Sequence, residues 1–359
     1  MKITFILFAK VHAPIGGVKV VYEYANRLSD RGNEVTIVHA VVPNRGDSAL
    51  RKAGKLLRYS LRRIAGRHTA ASWFALRPAV RQEWVRRPDE TAVPDGDVVI
   101  ATAWSTAEWV AAYSPRKGKK AYLLQHRETW AGDPARVEAT WKLPLHKIAV
   151  ARWLVDHAAS LGERAAYVPN GLDFSSFGIV RPLEERAPNT IALLGHWRPY
   201  KGTRDAVEAL RRARMARDLE VTMFGVLSRP GWVPSWVRYV RNPSQARLRQ
   251  LYNDAALFIA PSHEEGWGLP ACEAMMCGCA LIASDVGGHR EFAVPGTTAL
   301  VFPPGDVDAL AQSIIHCADD PPLRVRIARE GARHVRQYTW DRAVAAFEGE
   351  LVRLAQPNA

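Results

Sequence analysis

The stretch Ala256–Ala283, ALFIAPSHEEGWGLPACEAMMCGCALIA, is the one from which the rest of the chain can be read. It opens on an apolar run of strand length, Ala256–Ala260. A loop follows with two acids, Glu264 and Glu265, and two glycines, Gly266 and Gly268. The pattern then predicts a helix over Pro270–Cys277, with proline at its first position and Gly278 just past its end, the asymmetry helices favour. Ala280–Ala283 is a second apolar run. A strand buried on both faces reads as unbroken apolar sequence, so strand, loop, helix and strand in this span is one unit of a parallel sheet.

The same alternation extends in both directions. Lys2–Phe8 is a strand, Gly16-Gly17 a turn, Val18–Leu28 an amphipathic helix and Glu34–Val41 a β-branched strand. Asp97–Ala101, Ala121–Leu124 and Lys147–Val150 continue the strands, with helices over Thr106–Tyr113 and Arg152–Ser160. After Pro169-Asn170-Gly171 and a polar linker, Thr190–Leu194 and Glu220–Phe224 begin a second set, and the portion from Leu323 to Arg353 is mostly helical. The expectation is an α/β protein with two sheets in tandem. In open sheets of this kind ligands sit beyond the C-terminal ends of the strands.

A chain of 359 residues suits two domains. Four cysteines are too few for a disulfide scaffold, and Cys272, Cys277 and Cys279 lack the paired spacing of a zinc site, so they read as buried packing residues in a reducing compartment. The apolar start reads as a first strand rather than a signal peptide. No run of ~18 apolar residues is present to span a membrane. The net charge is +13, and between Arg51 and Arg87 eleven Lys and Arg face one acid, Glu83. Leu50, Ala53, Leu57, Leu61 and Ile64 form an apolar stripe at helical spacing within that stretch, with the basic residues largely off it. A basic amphipathic helix of this type can rest on an anionic membrane surface, or pack its stripe on the first domain and leave its charges in solvent; residues 50–87 are expected to contact such a membrane.

The loop after Ala260 carries the chemistry. The N-terminus of the following helix offers unpaired N–H groups and the positive end of a dipole, which suits a diphosphate. Gly266 and Gly268 let a ligand approach the backbone. Glu273, fourth in the expected helix, could accept two hydrogen bonds from a ribose diol, and Glu265 could hold sugar hydroxyls. Asn242 and its neighbours from Tyr239 end a strand and are expected beside the nucleobase. Two Asp-x-Asp strings, Asp95-Gly96-Asp97 and Asp306-Val307-Asp308, read as a turn and a helix cap rather than as metal sites.

Residues Pro261 to Glu291 resemble the signature of the GT-B glycosyltransferases of family 4, in which two glutamates are separated by seven residues, as Glu265 and Glu273 are here. Gly16-Gly17 is similar to that family's glycine-rich first loop. Pro169-Asn170-Gly171-Leu172-Asp173 is similar to its lead into the second domain, Leu194-Gly195 with Lys201-Gly202 to its phosphate turn, and Tyr338-Thr339-Trp340 to the point where its C-terminal helix crosses back. The resemblance implies two Rossmann-like domains face to face. Residues 1–168 with 340–359 would bind the acceptor, and 169–339 the donor. It implies ribose binding by Glu273, donor-sugar contact by Glu265, diphosphate binding by the N–H groups near Gly268 and Leu269, and charge neutralisation by Lys201. His126 would face the donor sugar. Where the family places an arginine after the phosphate-turn glycine, this chain has His196. Arg198 would replace it from two residues away, or Lys201 acts alone, or His196 supplies a weaker contact.

The implied activity is retaining transfer of a hexosyl or deoxyhexosyl group from a nucleoside diphosphate sugar to a cell-surface glycan, a lipid-linked acceptor or another hydroxyl, without a metal or other cofactor. The implied place is the cytoplasm, peripheral on the inner face of the plasma membrane. Two other readings compete: an inactive scaffold that binds sugar nucleotides, and a basic nucleic-acid-binding protein. The first is opposed by intact Glu265, Glu273 and Lys201. The second is opposed by the confinement of the basic stretch and by a glutamate-rich loop that would repel phosphate unless a sugar intervened, so no nucleic-acid partner is expected.

Overall fold

The computed structural model describes residues 1–8, 14–40, 54, 57 and 73–356. The apolar stripe from Leu50 to Ile64 therefore lies outside the described residues, save Leu57, which is exposed. Two compact units are formed. The first comprises Met1–Val150, Leu154–Val168 and Ala343–Ala359; the second comprises Ala151–Trp153 and Pro169–Arg342.

The first unit is built on a parallel sheet of β1 (Lys2–Phe8), β2 (Glu34–Ala40), β3 (Arg81–Val85), β4 (Val98–Ala101), β5 (Lys119–Leu124), β6 (His146–Ala149) and β7 (Ala165–Tyr167), in the order β3-β2-β1-β4-β5-β6-β7. The second holds β8 (Thr190–Leu194), β9 (Glu220–Gly225), β10 (Val237–Arg241), β11 (Leu257–Ala260), β12 (Ala280–Ser284) and β13 (Ala299–Phe302), in the order β10-β9-β8-β11-β12-β13. Each order reverses once, between β1 and β4 and between β8 and β11. At such a switch point the two following loops diverge and leave a crevice.

β4, β11 and β12 are buried along their whole length. β3, β7 and β13 escaped the sequence reading. β3 sits at the sheet edge inside the basic stretch, with a polar, half-exposed pattern and no apolar run to announce it. Gly16 and Gly17 are not a turn: they are the first two residues of the helix Gly16–Asp30. The helix after the glutamate loop runs Leu269–Met276, so Pro270 is its second residue and Glu273 its fifth. All four cysteines are free and buried. Asp306 caps the helix Val307–Asp319 through the Ala309 N–H, and Asp95 accepts from Arg116 and Lys117.

The C-terminal helix, Trp340–Ala355, starts in the second unit and ends in the first. Within the first, Phe347 stacks on Tyr24 with ring centroids 4.2 Å apart, and Glu348 accepts from Arg31 and Asn33. Within the second, the Leu172 N–H donates to the Tyr338 carbonyl at 2.9 Å. A Cβ on Gly171 would lie 2.4 Å from the Trp340 ring. The two motifs that were similar at a distance in sequence are thus packed on each other.

His39, near the end of β2, is wholly buried, and neither ring nitrogen has a hydrogen-bond partner among the described residues. It stacks on Trp84 at 4.3 Å. Burial pushes its pKa from the ordinary 6.5 down to about 4. The unfolded chain therefore takes the proton first. Stability is full above the unfolded value and falls as pH drops toward the folded value, by about 1.4 kcal/mol per pH unit for this one group. His39→Phe should keep the stacking, remove two orphaned nitrogens and raise stability by about 1–3 kcal/mol at pH 7. Urea unfolding between pH 4.5 and 7.5 should give a shallower acid slope for the variant; an unchanged slope would mean that His39 is not the group responsible.

Candidate functional site

The loops after β8 and β11 meet at the switch point of the second sheet. β8 ends at Leu194, and the Gly195 N–H donates to the Phe224 carbonyl of β9 at 2.7 Å. The His196 N–H donates to Thr203 Oγ1 at 3.0 Å. A single turn over Pro199–Lys201 leads to Gly202, which takes a left-handed φ of 62° before the helix Thr203–Ala213 begins. A Cβ at Gly202 would lie 1.9 Å from the Pro261 carbonyl oxygen at the start of the second loop. Only glycine permits both that conformation and that approach. The approach brings Lys201 to Glu265: Nζ donates to Oε2 at 2.6 Å. Ser262 Oγ donates to the same oxygen at 3.1 Å. The side chains of Lys201 and Glu265 are 18% and 16% exposed, shielded yet open to a ligand.

The glutamate loop is held from behind. The Gly288 N–H donates to the Glu265 carbonyl at 3.1 Å, and Trp153 Nε1–H donates to the Gly266 carbonyl at 3.1 Å. Gly287 leaves room for the Trp153 ring, and Gly288 for the backbone of Glu265 and Gly266. Tyr200 adds a third hold, its carbonyl accepting the His263 N–H at 2.7 Å. Gly268 turns the chain at φ 105° into the helix beginning at Leu269. One turn further on, Glu273 accepts from the Tyr252 hydroxyl at 3.3 Å.

His289 lies within the span Pro261–Glu291, but the sequence reading gave it no part. It is 2% exposed, and its ring edge lies where a Gly268 Cβ would stand, at 3.1 Å. Its Nδ1 is 3.0 Å from the Ser284 carbonyl, which can only accept, so the proton is on Nδ1. Burial holds its pKa below the ordinary histidine value. Trp153 and Ser262 were missed as well. Nothing in the sequence marks them, because each acts on the loop through contacts made only in the fold.

Several of the alternatives at the phosphate turn now have positions. Burial first, and then the charge of Lys201, push His196 down to about 4, with Glu265 working against and Arg198 with them. His196 is thus a neutral ring near pH 7, with Nδ1 accepting the Arg198 N–H at 3.1 Å. Arg198 lays its guanidinium over the Trp197 ring, 4.2 Å from the centroid. Asn242 follows β10 as an exposed residue with a left-handed backbone, φ 43°, its N–H donating to the Gly225 carbonyl at 2.7 Å. Tyr239 lies against Gly195 and Gly225, where added Cβ atoms would meet its ring and hydroxyl. The ends of β8, β9 and β10 are therefore joined at one edge of the site.

In the first unit, the switch point between β1 and β4 gathers other named residues. Gln125 Nε2 donates to the Gly17 carbonyl at 3.2 Å, bringing the glycine pair beside the loop that carries His126. His126 Nδ1 accepts the Glu128 N–H at 3.3 Å, and its ring stands edge-on to Trp130. Glu128 has a φ of 61°, and its carboxylate accepts the Trp104 N–H at 2.7 Å, at the start of the helix Trp104–Ala112. Burial pushes that carboxyl up to about 7. Among the described residues no group of His, Cys, Asp and Glu is arranged to hold a metal ion, and no helix is long and apolar enough to cross a membrane.

Residues 181–334 match the family described as glycosyl transferases group 1. O-antigen chain mannosyltransferase B of Escherichia coli is 36% identical over 106 residues, 30% of this chain and 27% of the relative. Phosphatidyl-myo-inositol mannosyltransferase of Mycolicibacterium smegmatis is 27% identical over 201 residues, 53% of this chain and 51% of the relative. The chain thus spans about half or less of these relatives' own lengths. Among solved structures, Anabaena HepE, in complex with UDP and glucose, superposes with a TM-score of 0.73 at 16% identity, covering 98% of this chain and 100% of that one. The fold is accordingly that of the GT-B proteins, with two Rossmann-like domains.

Proposed function

We propose that this chain, whose residues 181–334 match the glycosyl transferases group 1 family within a GT-B fold, transfers a hexosyl or deoxyhexosyl group from a nucleoside diphosphate sugar to a hydroxyl acceptor with retention of configuration. The observation that carries the reading is the 2.6 Å contact of Lys201 Nζ with Glu265 Oε2 at the switch point of the second sheet. It sets a cation and a carboxylate side by side where a diphosphate and a sugar ring would each need one. The arriving diphosphate takes Lys201, and Glu265 turns to sugar hydroxyls. Glu273 holds the ribose, and the backbone around Gly268 and Leu269 the diphosphate. In the reaction the bond from the anomeric carbon to the diphosphate oxygen breaks and a bond to the acceptor oxygen forms on the same face. The acceptor proton passes to the departing diphosphate. Lys201 neutralises the charge that develops there, so the reaction calls for no metal. We assign the donor to the second unit and the acceptor, a glycan or a lipid-linked hydroxyl compound, to the first.

Two relatives are named mannosyltransferases, and HepE was solved with UDP. Nucleoside diphosphate sugars of mannose and glucose, with uridine diphosphate among the carriers, are therefore the donors to try first. A thermal-shift panel of nucleoside diphosphates should show one base stabilising the fold; a ligand at a hundred times its Kd contributes about 2.7 kcal/mol. The same shift and the same transfer rate are expected in EDTA. No response to any nucleoside diphosphate would sink the reading, and loss of transfer in EDTA would sink metal independence.

The basic stretch from Arg51 to Arg87 supports a peripheral place on an anionic membrane. Flotation with anionic vesicles at low salt should carry the protein upward and release it at high salt, because surface charge attraction is screened. Protein that stays at the bottom at low salt would end this part of the proposal.

A further inference from the structure

We propose that Glu128 is the residue that positions His126, fixing the imidazole proton on Nε2 so that the ring offers an N–H donor to its ligand. The inference rests on the sequence reading that His126 would face the donor sugar. It adds how this chain presents the ring and which residue is responsible.

Two independent features of Glu128 converge. The first is its backbone. A φ of 61° is the left-handed region that non-glycine residues occupy only at an energetic cost. In that conformation the Glu128 N–H points back to His126 Nδ1 at 3.3 Å. A backbone N–H can only donate, so Nδ1 must be the accepting, unprotonated nitrogen, and a neutral imidazole then carries its proton on Nε2. The second is the side chain. Its Oε2 accepts the Trp104 N–H at 2.7 Å, at the first residue of a nine-residue helix, so the positive end of that helix anchors the carboxylate. The anchor offsets the backbone cost. The loop is braced on both flanks: the Glu128 carbonyl accepts the Ala131 N–H at 2.8 Å, and Gln125 holds the Gly17 carbonyl. A carboxylate that served only to cap a helix would not need a left-handed backbone. A left-handed residue that served only to turn the chain would be served better by glycine. Glu128 does both, and the result visible in the structure is a defined orientation and tautomer for His126.

The roles separate in three substitutions. Glu128→Gln keeps an acceptor for the Trp104 N–H. Glu128→Gly loses the anchor but adopts the left-handed conformation without cost. Glu128→Ala loses the anchor and keeps the cost. If Glu128 acts by holding the backbone under His126, kcat/KM should fall in the order wild type, Gln, Gly, Ala, with Ala down about tenfold or more. A residue that merely capped the helix would leave Gly no better than Ala, because glycine in place of a cap gains nothing for the ring. The direct readout is the ¹⁵N spectrum of histidine-labelled protein, with His126 assigned by His126→Asn. Wild type, Gln and Gly should show His126 protonated at Nε2 and bare at Nδ1, and Ala should show a mixture. A single Nε2–H tautomer in Glu128→Ala, or a Gly variant no more active than Ala, overturns the proposal. The spectrum is read without substrate, so a protein that transferred no sugar would refute the proposed reaction and leave the test of Glu128 intact.

Discussion

Lys201→Ala is expected to lower kcat by about 10²–10³, the range found when one preorganised charge-stabilising donor is removed from a site where charge develops. The expectation follows from placement. Lys201 is the cation joined to Glu265, at 2.6 Å in a shielded position, and the turn that carries it lies directly after the central strand of the sheet. Of its neighbours, His196 is held neutral by burial and Arg198 lies on Trp197, so neither is expected to make up the loss. In the proposed reaction charge appears on the diphosphate as the bond breaks, so the loss is expected in kcat more than in donor KM. Glu265→Gln, by contrast, should weaken the hold on the sugar while leaving nucleoside diphosphate binding near wild type. Steady-state kinetics with donor and acceptor varied in turn, beside calorimetry with the nucleoside diphosphate alone, separate these effects. A Lys201→Ala enzyme with unaltered kcat would remove Lys201 from the mechanism.

Gly202→Ala should be the most damaging single methyl in the second unit, costing about 3–5 kcal/mol of stability or the geometry of the site. Two terms add. A left-handed alanine costs about 1–2 kcal/mol. The added Cβ would also stand 1.9 Å from a backbone carbonyl oxygen, that of Pro261, which cannot rotate away as a side chain would. Relief requires parting the loops after β8 and β11, and that carries Lys201 off Glu265. Gly296→Ala is the control: its φ is 66°, but nothing lies within 4 Å of the added methyl. Gly296→Ala should therefore show the conformational term alone. Urea unfolding of both variants, read with the thermal shift on nucleoside diphosphate, measures the difference. Equal losses at the two positions would mean that the approach of the loops does not matter.

Much of this protein could be read without coordinates, and the reason is local. Strands buried on both faces, such as Phe258 and Ile259 in β11 or Leu281 and Ile282 in β12, leave unbroken apolar runs. Loops that carry a ligand leave glycines and acids at fixed spacing. From those signals came the two parallel sheets and the pairing of Glu265 with Glu273 on one loop and helix. The edge strand Arg81–Val85 was not legible, because an edge strand half open to solvent has no pattern to separate it from the basic stretch around it. The glycine pair Gly16-Gly17 was read as a turn because glycine's preference for turns is an average, and burial of the following helix face overrode it.

What the sequence alone determined, then, was the inventory: two α/β units, a cation at Lys201, a carboxylate at Glu265, a histidine at 126. What only the tertiary structure decided was their company. Lys201 and Glu265 are 64 residues apart along the chain. They meet because the strand order reverses between β8 and β11, and because Gly202 lets one backbone lie on the other. Trp153 reaches Gly266 from 113 residues away. Hydrogen bonds of that range depend on sheet topology and on the absence of a Cβ at a contact, and neither is written in the neighbourhood of either residue.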